Sequence, residues 1–217
     1  APAIAAAAAM RSGCGLCHLA MPEPLLPQGL VITPTSTGIE LPVDEVGRLH
    51  ASGAVEAIDQ HAGTARLLAL GPGLGNAWPQ QQLVATLLSR EDRPIVLDAD
   101  GINALAALED GAADIRSPLI LTPHVGEFER LASAIGVDTS LRGAVGAEAL
   151  AQRLGCIVVF KSHVTAISDG VHTVEDDSGG AVLATGGSGD VLTGIIASIA
   201  AQYGIDGPRR LLEAARL

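Results

Sequence analysis

The sequence predicts an α/β fold, a mostly parallel central sheet with helices on both faces and an antiparallel hairpin at one edge. Short apolar runs, each about four to eight residues and bounded by Gly, Pro, Asp or Ser, recur along the chain. Most are apolar at consecutive rather than alternate positions, as strands buried on both faces of a helix-covered parallel sheet must be. The stretches between them have helical length and pattern. Late in the chain TAIS (165–168) is followed by Asp169-Gly170 and VHTV (171–174), a two-residue hairpin signal feeding an antiparallel edge.

Composition sets the bounds. At 217 residues, 48% apolar and 17% charged, the chain suits one domain with a sizeable core. Aromatic residues make up only 2%, so Ala, Leu, Val and Ile must fill that core. A formal charge of −11 with 13 scattered Lys and Arg argues against a nucleic-acid partner, because phosphate neutralisation needs clustered basic residues. No apolar run reaches the roughly 18 residues needed to span a bilayer, so no membrane partner is expected.

The first element, APAIAAAAAM, lacks the basic region of a signal peptide and ends at Arg-Ser-Gly as a helix does. A helix with no strand before it, in a chain that does not begin with Met, leads to the expectation that natural N-terminal sequence is missing. Three cysteines, Cys14, Cys17 and Cys156, are too few and too irregular for a disulfide framework, which points to a reducing, cytoplasmic setting. Cys14-Gly-Leu-Cys17-His18 has the form of a haem attachment site, but that chemistry needs an oxidising compartment and a second axial ligand; CGLCHLAMP reads instead as a short buried strand. Strands are expected at 16–21, 30–33, 65–70, 94–98, 119–122 and 157–161, and helices at 77–89, 125–135 and 143–154. No repeat, linker or second domain interrupts them.

In such sheets ligands bind beyond the carboxyl ends of the strands. After 65–70 comes Gly71-Pro72-Gly73-Leu74-Gly75-Asn76, either a tight turn or a loop that lets backbone approach a ligand; without a following Lys-Ser/Thr it is no P-loop. After 94–98 the Asp98-Ala99-Asp100-Gly101-Ile102-Asn103 cluster reads equally as a helix cap or a metal or ligand site. Thr122-Pro123-His124-Val125-Gly126-Glu127 places a histidine beside Thr and Glu at a strand end, where structural and functional roles are balanced. Lys161-Ser162-His163-Val164-Thr165 ends an apolar strand in a cation and hydroxyls, which either reach solvent or meet a phosphate.

The most specific stretch is ATGGSGDVLTG (184–194), running into the apolar IIASIAA. Its glycines can turn successive backbone N–H groups inward as an anion-binding nest, and the following helix adds its positive dipole end there. A carboxylate at Asp190 would repel that anion. It is either a favourable helix N-terminal charge or a base for a hydroxyl attacking a phosphoryl group, and the two roles are compatible.

GGSGD ahead of an apolar helix resembles the anion-hole and catalytic-Asp motif of the ribokinase-like superfamily. LTPHVGEFERL, GPGLG, DADGIN and ATGGSGDVLTGI, in that superfamily's expected order over nearly the whole chain, are similar to one branch of it, the ADP- or ATP-dependent NAD(P)H-hydrate dehydratases. The resemblance implies a ribokinase-like three-layer sandwich over residues 1–217, with the family's first strand and its C-terminal end absent. It implies a repair enzyme that phosphorylates the ring hydroxyl of hydrated NADH or NADPH with ADP or ATP and then expels phosphate, assisted by the ring nitrogen lone pair. Asp190 would deprotonate the hydroxyl, and Gly187, Ser188 and Gly189 would stabilise the transferring phosphate. Ala1, Gly75, His124 and Asp190 match substrate-contacting positions, and Gly73, Asp98, Asn103 and Glu127 from the strand-end clusters are candidates beside them. Lys161, Ser162, His163, Val164, Thr165 and Gly189 match the adenine-nucleotide site, with Mg2+ bridging the phosphates and no protein metal ligand assigned. A homo-oligomer is also implied. Ser162-His163-Val164 stands where the family carries small, glycine-rich residues, and Gly180-Ala181-Val182 stands where it commonly has Asn-Pro-Gly. Two other readings are a vitamin-precursor kinase of the same superfamily, acting for example on hydroxyethylthiazole, and a non-catalytic nucleotide-binding module.

Overall fold

The structure is a computed structural model and describes residues 1–90, 93–108 and 114–203, together with 213 and 215. Its centre is a six-stranded sheet, β3 (Leu68–Leu70), β4 (Ile95–Leu97), β5 (Leu119–Leu121), β6 (Ile157–Phe160), β7 (Thr165–Ser168) and β8 (Thr173–Asp176), in that spatial order. The first four are parallel, and β7 and β8 add an antiparallel edge. Side-chain alternation explains why the strand sequences are apolar throughout. Ile95, Leu97, Leu119, Leu121, Val158 and Phe160 enter one core, and Val96, Ile120, Ile157 and Val159 enter another on the opposite face.

Helices cover both faces. On the larger core lie α3 (Ala51–Ala62), α4 (Trp78–Leu88), α5 (Asp100–Ala106), α6 (Val125–Ile135) and α7 (Gly143–Leu154), contributing Ile58, Leu83, Ile102, Phe128, Leu131 and Leu150. On the smaller core lies α8 (Ser188–Tyr203), through Ile196, Ala197 and Ala200. The alanine-rich start of the chain is α1 (Pro2–Arg11), packed along α8. A Cβ built on Gly194 would lie 2.1 Å from the Ala5 carbonyl oxygen, so the two helices approach at backbone distance. Only small residues permit that, which accounts for buried Ala3, Ala5, Ala6, Ala8 and Ala9.

Three expectations are corrected, and one strand is added. The strand expected at 16–21 is β1 (His18–Pro22), which starts two residues later because Leu16 is solvent-exposed. It pairs in parallel with β2 (Thr37–Leu41), an element not anticipated, in a separate two-stranded sheet. The run at 30–33 belongs not to a strand but to α2 (Leu26–Ile32): Pro27 suits a helix's first turn, Leu26 and Gly29 face inward, and Val31 and Ile32 are exposed. The hairpin loop has four residues rather than two. Ser168 pairs with Thr173, and the Asp169 carboxylate accepts from the N–H groups of Val171 and His172 at 2.9 and 2.7 Å, closing a wider turn. Between β1 and β3 lies a largely apolar cavity of about 660 Å³. Among the described residues no helix is long and apolar enough to cross a membrane.

Candidate active site

The carboxyl ends of the parallel strands converge on Asp98, directly after β4. Its side chain is 2% exposed and every approach to it is occupied. Oδ1 accepts from Thr122 Oγ1 at 2.7 Å and from Lys161 Nζ at 2.6 Å; Oδ2 accepts from Thr193 Oγ1 at 2.6 Å. A carboxylate taken this far from water is tolerated only when paired and hydrogen-bonded on both oxygens. Asp98, a candidate substrate contact in the sequence, is an internal hub here, joining the ends of β4, β5 and β6 to α8. Gly71 makes the close packing possible: its φ is +122°, and a Cβ there would lie 1.9 Å from the Asp98 carbonyl oxygen.

His124 stands after β5 and caps α6. Its Nδ1 accepts from the backbone N–H groups of Gly126 and Glu127 at 2.9 and 3.3 Å, while Glu127 Oε2 accepts from the His124 N–H at 2.8 Å. This reciprocal capping box, with Glu127 Oε1 3.2 Å from His124 Nε2, consumes the Glu127 carboxylate. Glu127, a candidate substrate contact in the sequence, is 4% exposed and holds the helix cap. The His124 side chain is about half exposed. A backbone bridge aligns His124 with Lys161, whose N–H donates to the Pro123 carbonyl at 2.8 Å.

At the start of α8, Gly187 has φ +90° and turns the backbone into the helix. Ser188, Gly189 and Asp190 form the first turn; the Ser188 N–H donates to the Thr185 carbonyl at 3.2 Å, while those of Gly189 and Asp190 have no acceptor within the helix and are the donors an anion would use. Lys161 Nζ lies 3.7 Å from where a Cβ on Gly189 would be, so the ammonium faces this nest. Within the candidate nucleotide segment Lys161, Val164 and Thr165 are partly buried, and Lys161 is the one whose side chain reaches Asp98 and the nest. Ser162 and His163 are exposed on the β6–β7 connection, where the Ser162 hydroxyl donates to the Val164 carbonyl, and Thr165 opens β7 opposite Asp176.

The glycine loop after β3 completes the rim. Gly75 N–H donates to Asp100 Oδ2 at 2.8 Å, so of the two carboxylates in DADGIN it is Asp100 that faces the loop. Neither Asp caps α5; its N-cap is Ala99, in a positive-φ conformation. Gly73 lies against Ala1, with an added Cβ 3.2 Å from the alanine methyl, which brings two candidate substrate residues together. Asn103 accepts from Arg130 Nε at 2.8 Å and lines an open groove of about 1010 Å³ with Asn76, Gly126, Arg130 and Arg142. Thr193, Arg130 and the gripping role of Asp100 were not foreseen. Thr193 carried a signal, a hydroxyl four residues after Gly189 on one helix face inside an otherwise apolar run. Among the described residues no three His, Cys, Asp or Glu side chains converge to hold a metal.

Comparison of the whole chain with known proteins assigns its family. The family model described as NAD(P)H-hydrate dehydratase covers residues 1–213. The chain belongs to the NAD(P)H-hydrate dehydratase family. As a member of it, the chain is 39% identical over 207 residues to the bifunctional NAD(P)H-hydrate repair enzyme of Salinibacter ruber, spanning 93% of this chain and 37% of that protein. The corresponding Pyrobaculum aerophilum enzyme is 34% identical over 91% of the chain and 38% of its own length. The chain thus spans a little over a third of these curated relatives. An ADP/ATP-dependent NAD(P)H-hydrate dehydratase from Bacillus subtilis, co-crystallised with ATP/Mg2+, superposes with a TM-score of 0.73 at 28% identity, covering 99% of this chain and 72% of that one. A hydroxyethylthiazole kinase from Pyrococcus horikoshii reaches a TM-score of 0.60 at 15% identity, covering 97% of this chain and 80% of that one, a likeness of fold alone.

Proposed function

We propose that this dehydratase-family chain restores hydrated NADH or NADPH to the reduced cofactor at the expense of ADP or ATP. The supporting observation is the meeting, at one sheet rim, of the α8 nest, Asp190 in its first turn, Lys161 and His124. Hydroxide is a poor leaving group, so the ring hydroxyl is first made into a phosphate ester. Asp190 accepts the hydroxyl proton as its oxygen attacks the terminal phosphoryl group, and the shortened nucleotide departs. The N–H groups of Gly189 and Asp190 and the α8 dipole stabilise charge on the moving phosphoryl oxygens, with Lys161 alongside. The ester C–O bond then breaks, the ring nitrogen lone pair assisting, and loss of a proton from the neighbouring ring carbon restores the double bond.

His124, which accepts at Nδ1 from two backbone donors, keeps its ring fixed at the substrate side. The groove of Asn103 and Arg130 continues from Gly126 and gives the rest of the dinucleotide a polar, partly cationic surface. A magnesium ion would arrive on the nucleotide, with phosphate and water as its main ligands. Bound there, it would neutralise phosphate charge.

The test is direct. Hydrated NADH or NADPH with ATP or ADP should regain the reduced-nicotinamide absorbance. Asp190→Asn should lower kcat by about 10²–10⁴-fold while leaving ADP affinity within about threefold. No return of absorbance, together with stable phosphorylation of an alcohol substrate, would show a kinase instead.

A further inference from the structure

We infer that Asp98 is the positioning residue for Lys161, holding its ammonium at the nest while tying it to the helix that carries Asp190. The inference rests on the reading of the α8 nest as the phosphoryl site. A lysine side chain has four rotatable bonds and about 2 kcal/mol of rotamer entropy, and an unanchored ammonium would pay that cost on each binding event. Here the cost is met on folding. Lys161 Nζ is 2.6 Å from Asp98 Oδ1 and 3.7 Å from the Cβ position of Gly189, so it lies between the buried carboxylate and the anion site.

The carboxylate cannot turn away from it. Thr122 shares Oδ1, and Thr193 fixes Oδ2. Thr193 lies four residues after Gly189, so this last bond grips the helix face that bears the nest. Lys161 is 20% exposed and Asp98 2%, so the lysine alone can meet a ligand. An ammonium has three donors; Asp98 takes one, leaving others for phosphate oxygens. Asp98 thus acts through Lys161 and touches neither substrate nor nucleotide.

The experiment is a double-variant cycle of Asp98→Asn, which keeps the side-chain shape, and Lys161→Gln, which removes the charge and keeps a polar end. ADP affinity is measured by calorimetry without hydrated substrate, alongside nucleotide KM, kcat and Tm. Asp98→Asn should weaken ADP binding and raise nucleotide KM about tenfold, with kcat falling as well because Lys161 is no longer held beside the moving phosphoryl oxygens. In the Lys161→Gln background it should weaken ADP binding no further. Each single variant should lower Tm, and the pair should recover most of the loss, because neither charge is then left buried alone. Should Asp98→Asn not fold, comparing Lys161→Gln with the charge-free pair still reads whether Asp98 affects ADP binding without the lysine. Unchanged ADP affinity in Asp98→Asn, or effects on ADP affinity that add in full, would reduce Asp98 to a purely structural role and overturn the inference. Failure of the wild type to bind ADP would overturn it as well. Intact ADP binding without turnover of hydrated cofactor would overturn the proposed function alone.

Discussion

Alanine at Gly194 places a methyl carbon 2.1 Å from the Ala5 carbonyl oxygen, 2.9 Å from the Ala5 carbonyl carbon and 2.9 Å from Ala8 Cβ. A carbon–oxygen contact needs about 3.3 Å, so α1 and α8 must part by about 1 Å where they now touch. A gap of that size forfeits about a quarter to a half of the dispersion energy along the contact, and overpacking of this kind costs about 1–3 kcal/mol. Taking about 2 kcal/mol, a domain of this size loses roughly 4–8 °C in Tm. The displacement also reaches the site, because Asp190 lies one turn before Gly194 on α8. A shift of about 1 Å in a reacting group can cost about 10²-fold in kcat. Thermal melts and turnover of hydrated NADH, run beside the exposed-site control Val145→Ala, measure both effects. A Tm within about 1 °C of wild type, with kcat unchanged, would show that α1 can shift freely and would refute the backbone-contact argument.

Ala99 sits at φ 50°, ψ −119°, a region natural to glycine. Ala99→Gly should therefore raise stability by about 1 kcal/mol, read as a Tm increase of about 2–4 °C; an unchanged or lower Tm would contradict the strain. Burial pushes the Cys156 thiol up to about 12, and burial also raises the half-buried Cys17. A thiol reagent at neutral pH should label Cys14 first, Cys17 more slowly and Cys156 only on unfolding, a sequence that timed labelling and peptide mapping resolve. Hydrogen bonds from Arg90 at 2.7 and 3.1 Å hold the Asp59 carboxyl below its usual range. A depressed folded value means that this stabilisation is complete above about pH 4 and fades as pH falls through it. The pair is partly exposed and worth only about 0.5 kcal/mol, so Asp59→Asn should shrink the acid-side Tm loss slightly and leave the pH 5–8 plateau shape unchanged.

Much of the fold was legible because its signals are local. The bounds of α6 and α7 match the expected 125–135 and 143–154, since both helices stop at a left-handed glycine, Gly136 and Gly155. The strands β4 to β6 were visible as doubly apolar runs. The stretch at 30–33 misled because four apolar residues fit a strand or one helical turn equally, and only the packing of Leu26 and Gly29 decides between them. β2 escaped notice because Thr37–Leu41 is half solvent-facing and reads as polar. At the site, the nest glycines, Asp190, His124 and Lys161 were legible as polar residues at strand ends and a helix start. The inward turn of Asp98 and Glu127 was not, since a strand-end carboxylate looks the same in sequence whether it faces a ligand or a threonine.

By itself the sequence determined which segments are buried on both faces, where each strand stops, and that a glycine-rich turn delivers a helix with a carboxylate in its first turn. Those features follow from periodicity and backbone sterics within a few residues. Tertiary structure alone decided which polar side chains serve the cleft. Asp98 is claimed by Thr122, Lys161 and Thr193, up to 95 residues away, while its near neighbour Asp100 grips the Gly75 loop. The reason is desolvation: a buried carboxylate must find its partners wherever the fold brings them, and no local pattern records which ones arrive.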